Sequence, residues 1–407
     1  MEQAAVQQVI GLLLLAFLVG LLVRRLFVPY TVALLVVGIP VGLTGLFDGL
    51  SLTSDTILLL FLPALLFQGA FNLDLKQLRE AVLPIATLAV VGVALSMAMI
   101  AGPLAAVFGL AGIVAVSLAA MLSATDPVAV MGVFKQMRLP ARLEMVIEGE
   151  SLFNDGTALV AFQIAAQSAS RGQQPNVGSG LLQFVIVVAG GFLLGSVAGF
   201  AFSHLLALTT DHLFEMGFST VLAYGTYLLA NLLRVSPVIA VVTAGIVLGN
   251  YGREVGLSER ARVVVADVWD YLAFIANSMI FVLIGQQVHH INYRAYIVPS
   301  LAAVGLALIS RAAVVYGLAP LIARLERRDV PLRWRHVLFW GGLRGALAIA
   351  MALSLPADFP QHDMILAATF SVVVFTVIVQ GVSMEHLLRW LHVWRATSDQ
   401  SLDRPRS

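Results

Sequence analysis

Long apolar segments follow one another along almost the whole chain, and they limit the possible folds more than any other feature. Of the 407 residues, 59% are hydrophobic and 12% are charged, and the mean hydropathy is +0.93. A water-soluble globule needs a largely polar surface, whereas an apolar segment of about 17 to 25 residues can cross a bilayer as a helix. We therefore predict an all-α polytopic membrane protein with about thirteen transmembrane helices. The predicted spans lie near residues 6–24, 30–47, 54–72, 80–108, 112–134, 141–169, 180–208, 214–233, 236–252, 262–288, 295–322, 334–356 and 363–390.

Charged residues are scarce and nearly balanced, which excludes several classes of protein. The chain has 24 Lys and Arg against 23 Asp and Glu, so its charge does not favour a nucleic-acid partner. It has no cysteine, which excludes disulfides and thiolate metal sites. Its two lysines, Lys76 and Lys135, do not follow a glycine, so it has no phosphate-binding GxxxxGKS or GxxxxGKT loop. We predict that the protein lies in the lipid bilayer, is not an enzyme and uses no cofactor.

Basic residues are distributed unevenly between alternate connections. Nineteen fall on one side of the predicted helices, and three, Arg171, Arg234 and Arg294, fall on the other. Cytoplasmic connections carry the excess of Lys and Arg, so we predict a multi-pass protein of the cell membrane with its N-terminus outside and its C-terminus in the cytoplasm. We expect one transmembrane domain over residues 1–390 and a short cytoplasmic tail over 391–407.

Two of the predicted spans carry a charge beside a helix-breaking sequence. The span near 112–134 contains SATDPVAV, where Pro127 cannot donate a helical hydrogen bond and disfavours helix at Asp126. The span near 334–356 contains WGGLRGALAIA, with three glycines around Arg344. These are the fifth helices of two predicted six-helix repeats of opposite topology, and matched breaks are typical of inverted-repeat transporters. We predict that these broken helices form the core of the domain.

A polar stretch, IEGESLFNDG, interrupts the apolar sequence of the sixth predicted span. Glu148, Ser151 and Asp155 are spaced i, i+3 and i+7, so a helix places them on one face. Glu150 and Asn154 share the adjacent face. A carboxylate at membrane depth costs about 2.5 kcal/mol or more, so each acid here indicates a site or a buried partner.

The acids on two predicted helices can surround one small cation. Asp155, Ser151 and Asp126 supply hard oxygen ligands, which suit Na⁺, K⁺ or Li⁺. Two carboxylates repel each other when the cation is absent, so a proton takes its place. We predict a site for Na⁺, K⁺ or Li⁺ at these three residues, with cation and proton in competition. Asn154 either joins this site or ties the broken helix in place.

The other charged groups at membrane depth have competing interpretations. Arg311 and Arg344 need partners, and Glu150, which lies off the Asp155 face, is the natural partner of one of them. Spacing alone leaves open which arginine it is. Asp126 has a structural alternative, because an Asp before Pro can cap the second half of a broken helix. Glu148 is predicted to face a cytoplasmic funnel and attract cations.

Four quoted motifs together resemble a known family. TDPVAV, EGESLFNDG, SRAAVVYG and GGLRGALA, in this order, are similar to the monovalent cation/proton antiporters of the NhaP and eukaryotic sodium/proton exchanger type. The resemblance covers almost the whole chain. It implies a thirteen-helix fold, a homodimer, and a core domain with two crossed broken helices that moves like an elevator against a dimerisation domain.

The resemblance also implies residue roles. It assigns the acid that binds the transported ion to Asp155, and the structural ion pair to Glu150 with Arg311. It assigns the asparagine beside this acid to Asn154 and a further oxygen ligand to Ser151. The contact at the broken helix falls on Asp126 with Thr125, and the arginine of the crossing helix on Arg344.

The chain departs from the family pattern at Gln68. In FLPALLFQGAFNLD, Gln68 stands where the family often carries Glu, so an oxygen ligand remains but a charge and a titratable proton are lost. We interpret Gln68, like Glu148, as a modulator of ion affinity or pH dependence.

Relatives that move two protons per ion usually have two adjacent aspartates and a membrane lysine. The pair Asn154–Asp155 therefore favours electroneutral exchange of one proton per cation.

The leading hypothesis is a secondary antiporter that exchanges Na⁺, or Li⁺, for H⁺. A K⁺/H⁺ antiporter on the same scaffold is the nearest alternative, because residue types do not reveal ion size selection. A channel or a symporter agrees less well with two matched helix breaks around one deep acid. A membrane hydrolase is disfavoured, because none of the eight histidines is paired by spacing with Ser151.

Overall fold

The computed structural model describes residues 2–23, 28–47, 49–50, 53–171, 177–291 and 293–393. Within these residues the regular secondary structure is entirely helical, so the prediction of an all-α protein is confirmed. The helices, in chain order, are α1 (Glu2–Val23), α2 (Tyr30–Thr44), α3 (Thr56–Asn72), α4 (Leu75–Glu80), α5 (Val82–Phe108), α6 (Gly112–Ser123), α7 (Val128–Met137), α8 (Ala141–Ser170), α9 (Val177–Leu206), α10 (His212–Leu232), α11 (Pro237–Val255), α12 (Glu259–Gln287), α13 (Tyr293–Glu326), α14 (Leu332–Trp340), α15 (Ala346–Leu353) and α16 (His362–Leu391).

The helices are those of a multi-pass membrane protein. Among the described residues, eight helical segments are long and apolar enough to cross a membrane, with α6 and α7 taken as one segment. Helices α2 and α3 are apolar but shorter. Helix α8 has 30 residues but also carries the acids of the polar stretch, so it is long without being uniformly apolar. The number of thirteen spans therefore stays a prediction.

Four of the described helices contain a π-helical turn. A π turn disturbs the regular hydrogen bonding of an α-helix and often lies near a functional site. In α5, the hydroxyl of Thr157 from α8 donates to the carbonyl of Ala89 within such a turn, at 2.6 Å. This bond fastens α8 to α5 at the level of the polar stretch. The turns span Thr56–Phe61 in α3, Thr87–Gly92 in α5, Leu248–Gly252 in α11 and Thr376–Gln380 in α16.

Helix α8 is held closely by its neighbours through two glycines. A Cβ atom at Gly149 would lie 2.6 Å from the side chain of Ile85 on α5. One at Gly156 would lie 2.3 Å from the side chain of Ile239 on α11. Small residues allow membrane helices to approach closely. The polar stretch, which contains both glycines, is therefore fixed in position against α5 and α11.

Two helices are interrupted within the predicted segments. Helix α6 ends at Ser123, the chain is extended at Ala124, and α7 begins at Val128 after Pro127. Helix α14 ends at Trp340, and α15 begins after Gly345, whose backbone is extended. The two interruptions touch, because the backbone N–H of Asp126 donates to the carbonyl of Leu343 at 2.8 Å.

Candidate functional site

The carboxylate of Asp126 lies at the start of two half-helices. Its Oδ1 atom accepts a hydrogen bond from the backbone N–H of Val128, the first residue of α7, at 2.9 Å. It also accepts from the backbone N–H of Ala346, the first residue of α15. Helix N-termini carry partial positive charge and free N–H groups, so they favour an ionised carboxylate. Asp126 thus caps not one half-helix but two.

The two buried arginines lie at the ends of the other half-helices. Arg344 donates from Nε to the carbonyl of Leu122, in the last turn of α6, at 2.6 Å, and also donates to the carbonyl of Gly342. Arg311 donates from Nε and a terminal nitrogen to the carbonyl of Leu338 in α14, at 3.2 and 2.8 Å. A cation at a helix C-terminus is stabilised by the helix dipole. The interruptions are therefore charge-compensated at all four half-helix ends.

Glu150 forms a two-pronged ion pair with Arg311. Both terminal nitrogens of the guanidinium donate to the carboxylate, one of them to Oε2 at 3.0 Å. The glutamate is 2% exposed and the arginine 6% exposed. Buried charges are tolerated when they are paired and fully hydrogen-bonded, as these are. The pair joins α8 to α13 and, through the carbonyl of Leu338, to α14.

Three side chains fasten α8 to the interruption between α6 and α7. The amide of Asn154 donates to the hydroxyl of Thr125 at 2.5 Å and accepts from the backbone N–H of Thr125 at 3.2 Å. The hydroxyl of Ser151 donates to the carbonyl of Thr125 at 2.7 Å. All three residues are buried. The structure therefore brings Thr125, Ser151 and Asn154 together, with Asp126 next in the chain.

Asp155 is the acid that these contacts leave uncompensated. Its Oδ1 atom is buried and has no hydrogen-bond partner in the part of the chain that the structure describes. Its charge interacts with that of Asp126, and Ser151 lies one turn before it on the same face of α8. A buried carboxylate oxygen without a partner is costly. The site can accept one positive charge, either a cation or a proton.

The oxygen atoms at this site are hard ligands. In the described residues, no group of three or more His, Asp or Glu side chains is arranged to hold a metal ion. The available ligands are carboxylate, hydroxyl and carbonyl oxygens of Asp155, Asp126, Ser151 and Thr125. Hard oxygen ligands of this kind are appropriate for small hard cations.

Gln68 and Glu148, predicted as modulators, make other contacts. The amide nitrogen of Gln68 on α3 donates to Oδ1 of Asp270 on α12 at 2.7 Å, and Asn72 donates to the same oxygen at 3.1 Å. Glu148 is half-buried on α8, where its charge interacts with those of Lys135 and Glu144.

The site residues predicted from the sequence do not include Asp270. It lies in the predicted span 262–288, so the rule that an acid at membrane depth marks a site or a partner would have found it. Its partner Gln68 is 202 positions away in the sequence, which no spacing argument could reveal.

Gly345→Ala is expected to disrupt the crossing of the broken helices. A Cβ atom at Gly345 would lie 1.9 Å from Oδ2 of Asp126, closer than atoms can approach. Either the carboxylate moves off its two helix N-termini or the interruption shifts, and overpacking of this kind costs about 1–3 kcal/mol. We expect a lower midpoint of thermal unfolding in detergent. Gly132→Ala in α7 is the matched control, because nothing lies within 4 Å of its Cβ position. A wild-type midpoint in Gly345→Ala would contradict the geometry.

Gln68→Glu is expected to make stability depend on pH. The new carboxyl oxygen would replace the amide that donates to Asp270 at 2.7 Å, and two carboxylates this close share one proton. The folded state then binds a proton that the unfolded state has released, so stability falls as pH rises. Thermal unfolding between about pH 6 and pH 9 measures this. The combined variant Gln68→Glu with Asp270→Asn should lose the effect, and a pH-independent difference in both variants would refute the shared proton.

The amino-acid sequence is similar to those of known transport proteins over most of its length. A family model described as "Sodium/hydrogen exchanger, transmembrane" matches residues 13–390. The Na⁺/H⁺ antiporter NhaG of Bacillus atrophaeus is 39% identical over 379 residues, which cover 90% of this chain and 71% of that protein. The Na⁺/H⁺ antiporter ApNhaP of Aphanothece halophytica is 37% identical over 368 residues, covering 89% and 70%. The Na⁺/H⁺ antiporter NhaH of Halobacillus dabanensis is 35% identical over 396 residues, covering 94% and 97%.

A structural comparison agrees at the level of the fold. The structure of the sodium proton antiporter MjNhaP1 from Methanocaldococcus jannaschii superposes with a TM-score of 0.77 at 20% sequence identity. The match covers 96% of this chain and 99% of that chain. The two proteins therefore share one helical architecture over nearly their full lengths.

Proposed function

The chain belongs to the sodium/hydrogen exchanger family, and from that premise we propose that it exchanges Na⁺, or Li⁺, for H⁺ across the membrane as a secondary active antiporter. The observation that carries this proposal is the buried Oδ1 of Asp155, which has no partner among the described residues. Relatives at 35–39% identity that bear the name Na⁺/H⁺ antiporter support the choice of ions.

In the proposed mechanism, Asp155 binds the cation and the proton in turn. Ser151 and Thr125 add neutral oxygen ligands next to it, and Asp126 adds a second carboxylate whose position is fixed by two half-helix N-termini. When a proton binds Asp155, the negative charge that attracts the cation is lost and the cation leaves. Binding of one ion thus displaces the other, as antiport requires.

The proposed exchange is electroneutral, with one proton for each cation. Glu150 and Arg311 cancel each other, and Asp126 is balanced locally by helix N-termini while Arg344 is balanced by helix C-termini. The side chain whose charge changes in the cycle is then Asp155. Since Na⁺ and H⁺ have the same charge, the site carries the same net charge in both directions. The membrane potential then does no net work on a full cycle.

The proposed motion is an elevator-type movement of a unit that holds the site. Hydrogen bonds connect α6, α7, α8, α13, α14 and α15 through Asp126, Arg311 and Arg344. A different close contact joins α2 to α12, where a Cβ atom at Gly38 would lie 2.3 Å from the carbonyl of Val282. We propose that the first group belongs to a moving core. The second belongs to a dimerisation domain of a homodimer, with the N-terminus outside and the C-terminus in the cytoplasm.

Ion flux in proteoliposomes tests the proposal. The purified protein should release or take up protons when Na⁺ or Li⁺ is added to liposomes with a pH gradient, and K⁺ should have little effect. Once K⁺ is shown to be inert, valinomycin sets the potential, and the Na⁺-driven rate should be independent of it. Exchange driven by K⁺ and not by Na⁺ would select the K⁺/H⁺ alternative. A voltage-dependent rate would refute one-for-one exchange.

A further inference from the structure

An open cleft lies on the outside of the helix bundle, between α13, α14 and α16. It has a volume of about 420 Å³, within the range of about 300–1,000 Å³ that is typical of small-molecule sites. Aromatic and imidazole side chains dominate its walls. Its lining includes Tyr316, His336, Trp340, Ser383, His386 and Trp390.

The polar atoms inside the cleft are held in defined positions. The hydroxyl of Tyr316 is hydrogen-bonded to Nδ1 of His336 at 2.5 Å, so the Nε2 edge of this imidazole is left for another contact. The indole N–H of Trp340 donates to the hydroxyl of Ser383 at 2.8 Å, which joins α14 to α16. Trp390 is 73% exposed. The cleft therefore combines a fixed imidazole with a large uncovered aromatic ring.

A positively charged side chain, Arg335, lies beside the cleft. The charge of Arg335 interacts with Tyr316, and the described hydrogen bond of its side chain uses only Nε, which donates to the carbonyl of Val330 at 3.0 Å. The nearby acid Glu385 is already paired with Arg389 at 2.7 Å. A guanidinium and an imidazole beside a neutralised acid complement an anionic group.

The position of the cleft identifies its ligand. Arg335 and His336 lie in the first half of α14, and Trp390 lies in the last turn of α16, which are ends that the distribution of basic residues assigns to the cytoplasm. Tyr and Trp rings favour the headgroup level of a bilayer, and basic pockets between membrane helices bind anionic headgroups. We propose that this cleft binds one anionic glycerophospholipid, with its phosphate at Arg335 and His336 and its glycerol and upper acyl chains on Trp340 and Trp390.

A lipid bound in this cleft would contact the first half of a broken helix. Helix α14 is the first half of that helix, and its Leu338 carbonyl accepts two hydrogen bonds from Arg311. Trp340, which lines the cleft, immediately precedes the interruption that contains Arg344. A lipid that holds α14 against α16 therefore stabilises one position of this half-helix. The exchange rate then depends on the anionic lipid content of the membrane.

Native mass spectrometry of the purified protein tests the proposal without measuring transport. Phosphatidylglycerol and phosphatidylcholine are added at equal concentration, and the wild type should retain the anionic lipid preferentially. Removing one basic side chain near the membrane surface should lower that preference about fivefold. Arg335→Gln should therefore show this fivefold decrease and Arg335→Lys should not, while Trp390→Ala should weaken retention of both lipids. Arg260→Gln, an exposed arginine at the start of α12, is the matched control and should behave as wild type.

Several results would overturn the proposal. Equal retention of both lipids by the wild type, or an unchanged preference in Arg335→Gln, would exclude recognition of the phosphate here. Competition by the soluble headgroup glycerophosphoglycerol at the same concentration as the whole lipid would assign the site to a free phosphate ester. A change in dimer content without a change in lipid retention in Trp390→Ala would assign the surface to a second copy of the chain. Thermal unfolding of each variant identifies any that fails to fold. If Arg335→Gln fails to fold, lipid retention by Arg335→Lys shows whether a positive charge at this position is enough for the preference.

Discussion

Asp155→Asn is expected to abolish Na⁺/H⁺ exchange while leaving the protein folded. The substitution keeps the size of the side chain but removes the charge and the titratable proton of the acid whose Oδ1 has no described partner. The attraction between a carboxylate and a cation about 4 Å away is about 4 kcal/mol at an effective dielectric constant of about 20. We therefore expect cation affinity to fall by about two to three orders of magnitude. The measurements are Na⁺-driven proton flux in liposomes and Na⁺ binding by calorimetry.

The control for this substitution lies on the same helix. Glu148→Gln also removes one carboxylate from α8, but Glu148 is half-buried beside the charges of Lys135 and Glu144. It should retain most of the exchange activity, with a change confined to the apparent affinity. Undiminished exchange by Asp155→Asn, at any Na⁺ concentration, would mean that the transported ions bind elsewhere.

Glu150→Gln is expected to destabilise the protein more than any other single substitution considered for α8. It leaves the buried Arg311 guanidinium without its counter-charge, and breaking a buried ion pair costs about 3–5 kcal/mol. Replacing both partners by apolar residues, Glu150→Leu with Arg311→Met, should recover much of this loss, because no charge then stays buried. The free energy of unfolding in a detergent titration measures both variants.

The same two helices provide a matched control for this pair. Arg142 on α8 forms an ion pair with Glu326 on α13, and the two side chains are 21% and 12% exposed. Pairs that water reaches contribute only about 0–1 kcal/mol, so Arg142→Gln should have a small effect. If Arg142→Gln and Glu150→Gln cost the same free energy, burial is not what gives the Glu150 pair its importance.

Much of the helical framework follows from local sequence. Apolar segments predict the helices because a chain in lipid must satisfy its own backbone hydrogen bonds. Pro127 predicts the interruption after Ser123 because it has no N–H to donate. The spacing of Ser151 and Asp155 predicts a shared helical face, since the helical repeat of 3.6 residues is a local property of the chain. These inferences need no knowledge of which helices touch.

The partners of the buried charges could not be predicted in this way. Glu150 and Arg311 are 161 positions apart, and spacing alone allowed Arg344 equally well. Among the described residues, the side chain of Arg344 donates to backbone carbonyls, those of Leu122 and Gly342. A backbone carbonyl leaves no trace in the sequence, because every residue has one. The second cap made by Asp126, on Ala346, depends likewise on how two distant helices cross.

The π-helical turns determine where this chain can change length. Elsewhere in a helix, loss of one residue turns every later side chain by about 100° and moves it to another face. A π turn holds a surplus residue, so a deletion within Thr376–Gln380 could restore a plain α-helix and leave Ser383 and Trp390 facing as before. A deletion within Thr87–Gly92 would also preserve the faces of α5, but it would remove the carbonyl geometry that receives Thr157. In evolutionary terms, the first turn tolerates a single-residue deletion only where Thr376 keeps the hydrogen bond that its hydroxyl accepts from the backbone N–H of Arg344, whereas the second is closed to deletions by its bond to α8.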